Sequence, residues 1–515
     1  MVKILWVDDE IELLKPHIIF LNSKGYEVEK CSNATDALEL LKTSRFEAVL
    51  LDENMPGISG LEALSQMKVF APDMPVIMIT KSEEEHIMED AIGNQIADYL
   101  IKPVNSSQIL LSLKKNLDAK QLMTEKTAQN YQQEFRQLSM ELMDVNDFKG
   151  WEAIYRKLVY WELELAKSGD TGMDEILAMQ KRDANNAWSK FVSNNFINFL
   201  RKPSAETPSM SHTILAKKLP EMLKSDCPVF LVVIDNFRYD QWKLIQNTLG
   251  EFFNVLQDEM YMTILPTTTH YARNSLFAGM MPSEIEKRHP NLWVNEEDEE
   301  GKNLHEELLL ANQLKNLGYQ GKFSFKKVTH LGAGKELIDQ VPNMFNNQLN
   351  VIVYNFVDML SHVRTEMNVM KELAEDEAAY RSITASWFEH SPLFEALKKI
   401  ASKKAKLIIT TDHGSIRVQN PVKIIGDKST STNLRYKQGK SLTYNEKELF
   451  SIKKPEEAFL PKQFMSSSFV FAQGEDFMVY PNNYNFHVNM YTNSFQHGGI
   501  SLEEMLVPFI LLESK

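Results

Sequence analysis

Apolar residues in the first stretch of the chain come in short runs, each closed by a polar residue and followed by an amphipathic segment. Lys3–Val7, Glu27–Cys31, Ala48–Asp52, Val76–Thr80 and Asp98–Ile101 read as strands, with helices such as Glu12–Lys24 and Ala34–Leu41 between them. That alternation predicts an α/β domain with a doubly wound parallel sheet over residues 1–120. From 121 to 203 the strand pattern stops and Gly and Pro nearly vanish. Helices are predicted at Gln121–Leu142, Trp151–Ala166 and Asp174–Leu200, with Asp170–Gly172 as a break and Pro203 as the end. Trp151, Ile154, Tyr155, Leu158 and Leu165 share one helical face, and Trp188, Phe191, Val192 and Phe199 another. These stripes predict the core of a three-helix bundle, whose first helix can prolong the last helix of the first domain as a mechanical link.

Residues 204–515 return to buried-strand patterns at Val229–Ile234, Val351–Tyr354 and Leu407–Thr410. Each is followed by acidic or histidine residues. Between the first two lies Leu265–Pro282, LPTTTHYARNSLFAGMMP, in which three threonines lead into a helical run closed by Gly279 and Pro282. Threonine caps helices well, so the helix is expected to start near Thr269.

The length of 515 residues allows these three domains, and 43% hydrophobic content supports globular cores. A net charge of −14 argues against a duplex-DNA surface, since neutralising phosphates takes clustered Lys and Arg. It leaves room for a nucleotide in a metal-lined pocket, where ions supply the positive charge. No duplex DNA-binding domain of the helix-turn-helix type is readable. Only Cys31 and Cys227 occur, so neither a disulfide framework nor a thiolate zinc cluster is expected. The opening MVKILWVDDE lacks a signal-peptide layout, and no apolar run is long enough to span a bilayer. The expectation is a cytoplasmic, soluble protein with no membrane partner.

Polar residues fall at the carboxyl ends of the first domain's strands, where doubly wound sheets place their chemistry. Asp8 and Asp9 follow the first strand, Asp52 ends the third, Thr80 ends the fourth and Lys102 follows the fifth. Three neighbouring carboxylates repel one another and favour a hard cation such as Mg2+. This constellation resembles the receiver domain of two-component response regulators, a flavodoxin-like fold. The resemblance implies that Asp52, in LLDENMPGISG, accepts a phosphoryl group from a cognate histidine kinase. It also implies that Asp8, Asp9, Asp52 and the carbonyl of Asn54 hold Mg2+, and that Thr80, Tyr99 and Lys102 form the switch.

In the last domain, Asp235 follows a strand, Asp358 and His362 stand four apart, Asp412-His413-Gly414 follows another strand, and His497 precedes Gly-Gly. On a helical turn, residues four apart face one way and can share a metal. Adjacent Asp412 and His413 point to opposite sides and can serve one ion with the carboxylate turned toward another. Three Asp and three His without Cys suit Zn2+ or Mn2+. Two ions about 4 Å apart can hold the attacking and leaving oxygens of a phosphoryl transfer.

The order of these segments, with PTTT, resembles the PglZ-type branch of the alkaline phosphatase superfamily. Carried over by position, the resemblance implies one metal held by Asp358, His362 and His497. It implies a second metal on Asp235, Asp412, His413 and the hydroxyl of Thr269, the nucleophile. Thr267 and Thr268 are the alternatives. Arg273 and Asn274, one turn on, are candidates to contact phosphate oxygens, with pairing to a structural carboxylate the alternative for Arg273.

Receiver, helical middle and PglZ-type domain together resemble the response regulators of type IX secretion. That implies a zinc phosphodiesterase acting on cyclic or linear oligonucleotides and a homodimer formed on Asp52 phosphorylation. Rivals within the superfamily are a phosphomonoesterase, a sulfatase or a phosphomutase; Cys227 precedes the first strand and is misplaced for a sulfatase. A rival of another class is a non-catalytic platform that docks a transcription (sigma) factor. THLGAGKEL departs from a P-loop at both ends of the motif, Thr329 for Gly and Glu336 for Ser/Thr. The acidic run Asn295–Gly301 reads as a solvated loop or a lid over the site, and the segment Glu446–Glu457 as surface.

Overall fold

The computed structural model describes residues 2–81, 96–168, 171–224, 227–295, 301–355, 357, 376–427, 430–462 and 464–515. The chain divides into two compact units, residues 1–132 with 168–170, and residues 133–167 with 171–515.

In the first unit, strands β1 (Val2–Val7), β2 (Tyr26–Cys31), β3 (Ala48–Asp52), β4 (Val76–Thr80) and β5 (Asp98–Ile101) form one sheet in the order β2-β1-β3-β4-β5. Every pairing is parallel. Both faces are covered, which is why the central strands run apolar over Ile4–Val7, Ala48–Leu51 and Val76–Ile79. Leu5, Val7, Val49, Leu51 and Met78 meet the helices Ala34–Thr43 and Gly60–Phe70 on one side. Ile4, Trp6, Leu50 and Ile77 meet Ile18, Leu21, Ile109 and Leu113 on the other. Asn33 caps one of these helices through Asp36 N, and Ser59 and Glu62 form a reciprocal capping box on another. The register sets Asp52 beside Ile79 and Thr80 beside Ile101, so the ends of β3, β4 and β5 share one edge.

The last helix of this sheet runs unbroken from Ser106 to Asp144, and the helix read at Gln121–Leu142 is its continuation. The division between the units falls inside it. Helices Phe148–Ser168 and Thr171–Arg201 fall almost wholly in the second unit. Their aromatic stripe is core. Trp151 meets Trp188 edge-on at 5.4 Å, and Trp188 stacks on Phe191 at 5.4 Å. Asn185 Nδ2 donates to Glu503 Oε2 at 3.0 Å and its Oδ1 accepts from Leu502 N at 2.8 Å, tying the helix to the C-terminal segment.

The second unit is built on a six-stranded sheet. Strands β6 (Val229–Ile234), β7 (Phe253–Met262), β8 (Phe323–Val328), β9 (Leu349–Tyr354), β10 (Lys406–Thr410) and the closing strand Leu506–Ser514 stand in the order β7–closing–β10–β6–β9–β8. The four strands β10, β6, β9 and β8 are parallel, and the closing strand and β7 add an antiparallel edge. β6 and β9 are buried throughout and are legible as apolar runs. β7 and β8 escape that reading because polar residues interrupt both, and the middle of β7 is exposed while most of β8 is half-buried. LGAGKEL begins the helix Leu331–Met344. The segment Glu446–Glu457 is not surface alone: Leu449 and Ile452 are buried, while Glu446 is exposed and pairs with Lys453 at 2.7 Å.

Replacing Trp188 by Ala should cost about 3–5 kcal/mol, because it is fully buried and the rings of Trp151 and Phe191 close on it. Urea unfolding of the second unit reads this, and a change below about 1 kcal/mol would take Trp188 out of the core.

Candidate active site

At the carboxyl edge of the first sheet, Asp8 and Asp52 are buried and Asp9 is exposed. One carboxylate oxygen from each lies within 4.8 Å of the others. Lys102 Nζ bridges Asp8 Oδ2 at 2.9 Å and Asp52 Oδ2 at 3.0 Å. Burial pushes the Asp52 carboxyl pKa up, and Lys102 opposes that rise. Burial works against the Lys102 charge, but Asp8 and Asp52 outweigh it and raise its pKa. Asp52 Oδ1 is buried without a hydrogen-bond partner among the described residues. An orphaned carboxylate oxygen beside two further acids fits a divalent cation. Thr80 is buried at the end of β4, and the Tyr99 hydroxyl hydrogen-bonds it from a half-buried position. Asn54 is exposed two residues beyond Asp52.

In the second unit, β6 and β10 are adjacent and in parallel register, so Asp235 and Asp412-His413 leave the sheet side by side. Thr411 anchors both turns, since its hydroxyl donates to His413 O at 2.8 Å and accepts from Phe237 N at 3.0 Å. A Cβ on Gly414 would lie 2.0 Å from Glu503 O, so no side chain fits there. Thr268 occupies the N-cap position in extended conformation, and the helical run starts at Thr269 with the π-turn Thr269–Arg273, then continues as Asn274–Ala278.

Three threonine hydroxyls meet three different environments. Thr267 Oγ1 donates to Gly499 O at 3.0 Å and accepts from Gly498 N at 2.9 Å, holding the turn after His497. Thr268 Oγ1 is buried without a partner among the described residues. Thr269, half exposed, lies 3.2 Å from Asp235 Oδ1 and 3.1 Å from His413 Nε2. His413 Nε2 is also 3.7 Å from Asp235 Oδ1 and from Asp412 Oδ2. His413 Nδ1 faces Gly414 O at 3.1 Å, and a nitrogen opposite a carbonyl must donate. The Nε2 lone pair then turns toward the acids. One hydroxyl proton faces two acceptors, so oxygens and a nitrogen converge where a cation would satisfy them. Asp235, Asp412 and His413 offer ligand atoms within 4.8 Å of one another. The donor set fits zinc or manganese.

His497 stacks on His413, with ring centroids 4.3 Å apart, and its Nδ1 lies 3.3 Å from Thr267 O. Gly498 has φ +123, which keeps this turn to glycine. Asp358 and His362 lie outside the described residues, as does most of the acidic run Asn295–Gly301.

Arg273 is paired with carboxylates: Nη1 to Asp235 Oδ2 at 2.6 Å, Nε to Glu306 Oε1 at 2.6 Å, and Nη1 to Asp412 Oδ2 at 3.8 Å. Burial opposes its charge, yet these three acids raise its pKa above the ordinary arginine value. Asn274 is engaged within the protein too. Its Nδ2 donates to His270 O at 2.9 Å and Lys302 O at 3.0 Å. Asn303 donates to Asn274 Oδ1 at 3.2 Å and to Thr269 O at 3.0 Å. Glu306 also pairs with Lys327 at 2.9 Å. Glu306, Lys327 and Asn303 were invisible in the sequence, because an acid in a helix's first turn, a strand lysine and a loop asparagine carry no motif.

Residues 214–512 match the family described as the BREX system PglZ alkaline phosphatase-like domain. Residues 121–200 match the PorX response regulator linker domain, and residues 4–114 the response regulator receiver domain. The three together are the architecture of PorX-type response regulators. The alginate biosynthesis transcriptional regulatory protein AlgB of Pseudomonas putida is 36% identical over 120 residues, 23% of this chain and 27% of its own length. The transcriptional regulatory protein ZraR of Klebsiella oxytoca is 34% identical over 116 residues, 22% of this chain and 26% of its own. The chain therefore spans about a quarter of these relatives. A CheY-like receiver domain structure from Methanospirillum hungatei is 29% identical, with a TM-score of 0.23, covering 23% of this chain and 95% of its own. Receiver domains generally bind a divalent metal and pair with histidine kinases.

Two outcomes follow from these geometries. Asp52→Ala should abolish labelling by acetyl phosphate in Mg2+, and undiminished labelling would move the acceptor elsewhere. Arg273→Met strands three buried acids and should cost about 3–5 kcal/mol in thermal or urea unfolding. A loss below about 1 kcal/mol would mean the acids are held by something other than Arg273.

Proposed function

This chain belongs to the PglZ alkaline phosphatase-like family, joined to a receiver domain, and on that footing we propose that it is a receiver-controlled, zinc-dependent phosphodiesterase acting on cyclic and linear oligonucleotides. The observation that carries the reading is the half-exposed Thr269 hydroxyl 3.2 Å from Asp235 Oδ1 and 3.1 Å from His413 Nε2. One ion would be held by Asp235, Asp412, His413 and Thr269, the other by His497 with Asp358 and His362. When bound, such ions neutralise phosphoryl oxygens and lower the pKa of oxygen ligands.

The protein's own residues do the rest. Thr269 Oγ1 gives up its proton to solvent and attacks phosphorus in line, the P–O bond to the leaving nucleoside oxygen breaks, and that oxygen takes a proton from solvent. The nucleotidyl group is carried on Thr269 until water attacks its phosphorus and returns the hydroxyl to Thr269. Arg273 pins one oxygen of Asp235, so that the other stays turned to Thr269. Thr411 and the close approach at Gly414 fix His413.

Control would come from the receiver. A cognate histidine kinase phosphorylates Asp52, Thr80 and Tyr99 respond, and two chains pair. The physiological output we propose is regulation of type IX protein secretion.

Full-length protein loaded with zinc should hydrolyse bis-p-nitrophenyl phosphate. Thr269→Val, nearly isosteric, should keep its zinc while turnover falls by about 1,000-fold or more. Retained turnover in Thr269→Val, with loss in Thr268→Val, would shift the nucleophile by one residue. No turnover by the zinc-loaded wild type would end the diesterase reading.

A further inference from the structure

Between Asp476 and Glu503 the chain has 26 residues without a Lys, Arg, Asp or Glu, although 24% of the whole is charged. The centre of this stretch, PNNYNFHVNMYTN, forms the helix Tyr484–Tyr491, none of whose residues is buried. Its inner face carries Tyr484, Val488 and Tyr491, packed on Ile416, Val418, Phe477 and Val479. The other face is aromatic and amidic. Phe486 is 65% exposed. The His487 ring lies beside it at 5.4 Å and is parallel to Tyr491 at an interplanar angle of 6°. Asn482, Asn483, Asn485, Asn489 and Asn493 are all exposed.

The helix is fixed to the catalytic elements. Asn493 N donates to Val418 O at 2.7 Å, Val418 N to Ser494 O at 2.9 Å, and Ile416-Arg417 pairs antiparallel with Phe495-Gln496. One strand of that pair follows Asp412-His413 and the other runs into His497. His497 is six positions beyond Tyr491, so the helix ends within about 20 Å of the site. A few nucleotides of single strand cover that distance.

We propose that the outer face of helix Tyr484–Tyr491 is the base-binding platform for a single-stranded oligonucleotide whose phosphodiester enters at Thr269. This rests on the diesterase reading and names how its substrate is recognised. Exposed rings stack on any base, and amides pair with base edges, so neither needs the charge that this stretch lacks. An acidic protein that binds a polyanion must keep acids away from its path, and this stretch has none. A cation beside the helix, Lys423, is exposed, with Nζ 4.9 Å from the Tyr484 ring centre, where a backbone phosphate can meet it.

The test uses full-length, zinc-loaded protein in a Thr269→Val background, so that the probe is not consumed. The probes are fluorescein-labelled hexadeoxythymidylate and an abasic hexamer of equal charge, read by anisotropy. The base-bearing hexamer should bind at least about tenfold tighter than the abasic one. Phe486→Ala with His487→Ala should abolish that difference, and Phe486→Trp should retain it. Equal binding of the two probes, or equal binding with and without the two rings, overturns the platform. So does a double replacement that lowers the light-scattering mass while leaving hexamer binding intact, which would make the helix a protein-docking face. Turnover of bis-p-nitrophenyl phosphate by the wild type reports on the diesterase reading by itself. Its absence alongside base-dependent binding would sink that reading and leave the platform standing.

Discussion

Everything at the second site depends on how several acids can be buried together. Asp235, Asp412 and Glu306 are buried, and close-packed carboxylates repel. Arg273 removes most of that cost by reaching all three from one guanidinium, with Lys327 on the far oxygen of Glu306. The same contact orients. With Oδ2 of Asp235 committed to Arg273, Oδ1 is the oxygen that Thr269 and His413 meet. A lysine in place of Arg273 could not span these partners, because the planar fork is what reaches in two directions.

Both units use one architectural device. A parallel sheet ends several strands on one edge, and the residues just beyond them converge although they are far apart in sequence. In the first unit this gathers Asp8, Asp52, Thr80 and Lys102. In the second, adjacency of β6 and β10 gathers Asp235 with Asp412 and His413. The proposed acceptor in the first unit, Asp52, is a carboxylate turned to a lysine, and the one proposed in the second, Thr269, is a hydroxyl turned to a carboxylate and an imidazole.

Legibility in the sequence followed burial. Strands buried on both faces, such as Val229–Ile234, show as apolar runs, whereas Phe253–Met262 is interrupted by Asn254 and Gln257–Glu259 and is exposed along its middle. Strand-end acids and the helix start at Thr269 were readable because short apolar runs and threonine caps mark them. Arg273 was identified but its partner was open, since sequence spacing says nothing about Glu306 across the fold. The helical middle read as a separate bundle because its own aromatic stripe is self-consistent. Its ties to the last domain, such as Arg156 with Asp258 and Asn185 with Leu502 and Glu503, join residues a hundred to three hundred positions apart and carry no sequence signal.

The central claim is that the point shared by Asp235, Asp412, His413 and Thr269 is a metal position and the seat of the nucleophile. Anomalous diffraction at the zinc edge, from crystals of full-length protein purified without chelator, tests it most directly. The account predicts an anomalous peak about 2.0–2.2 Å from His413 Nε2 and from a carboxylate oxygen of Asp235 or Asp412, next to Thr269 Oγ1. A zinc-replete crystal with no peak there, and with Thr269 still bonded only to Asp235 and His413, would contradict it.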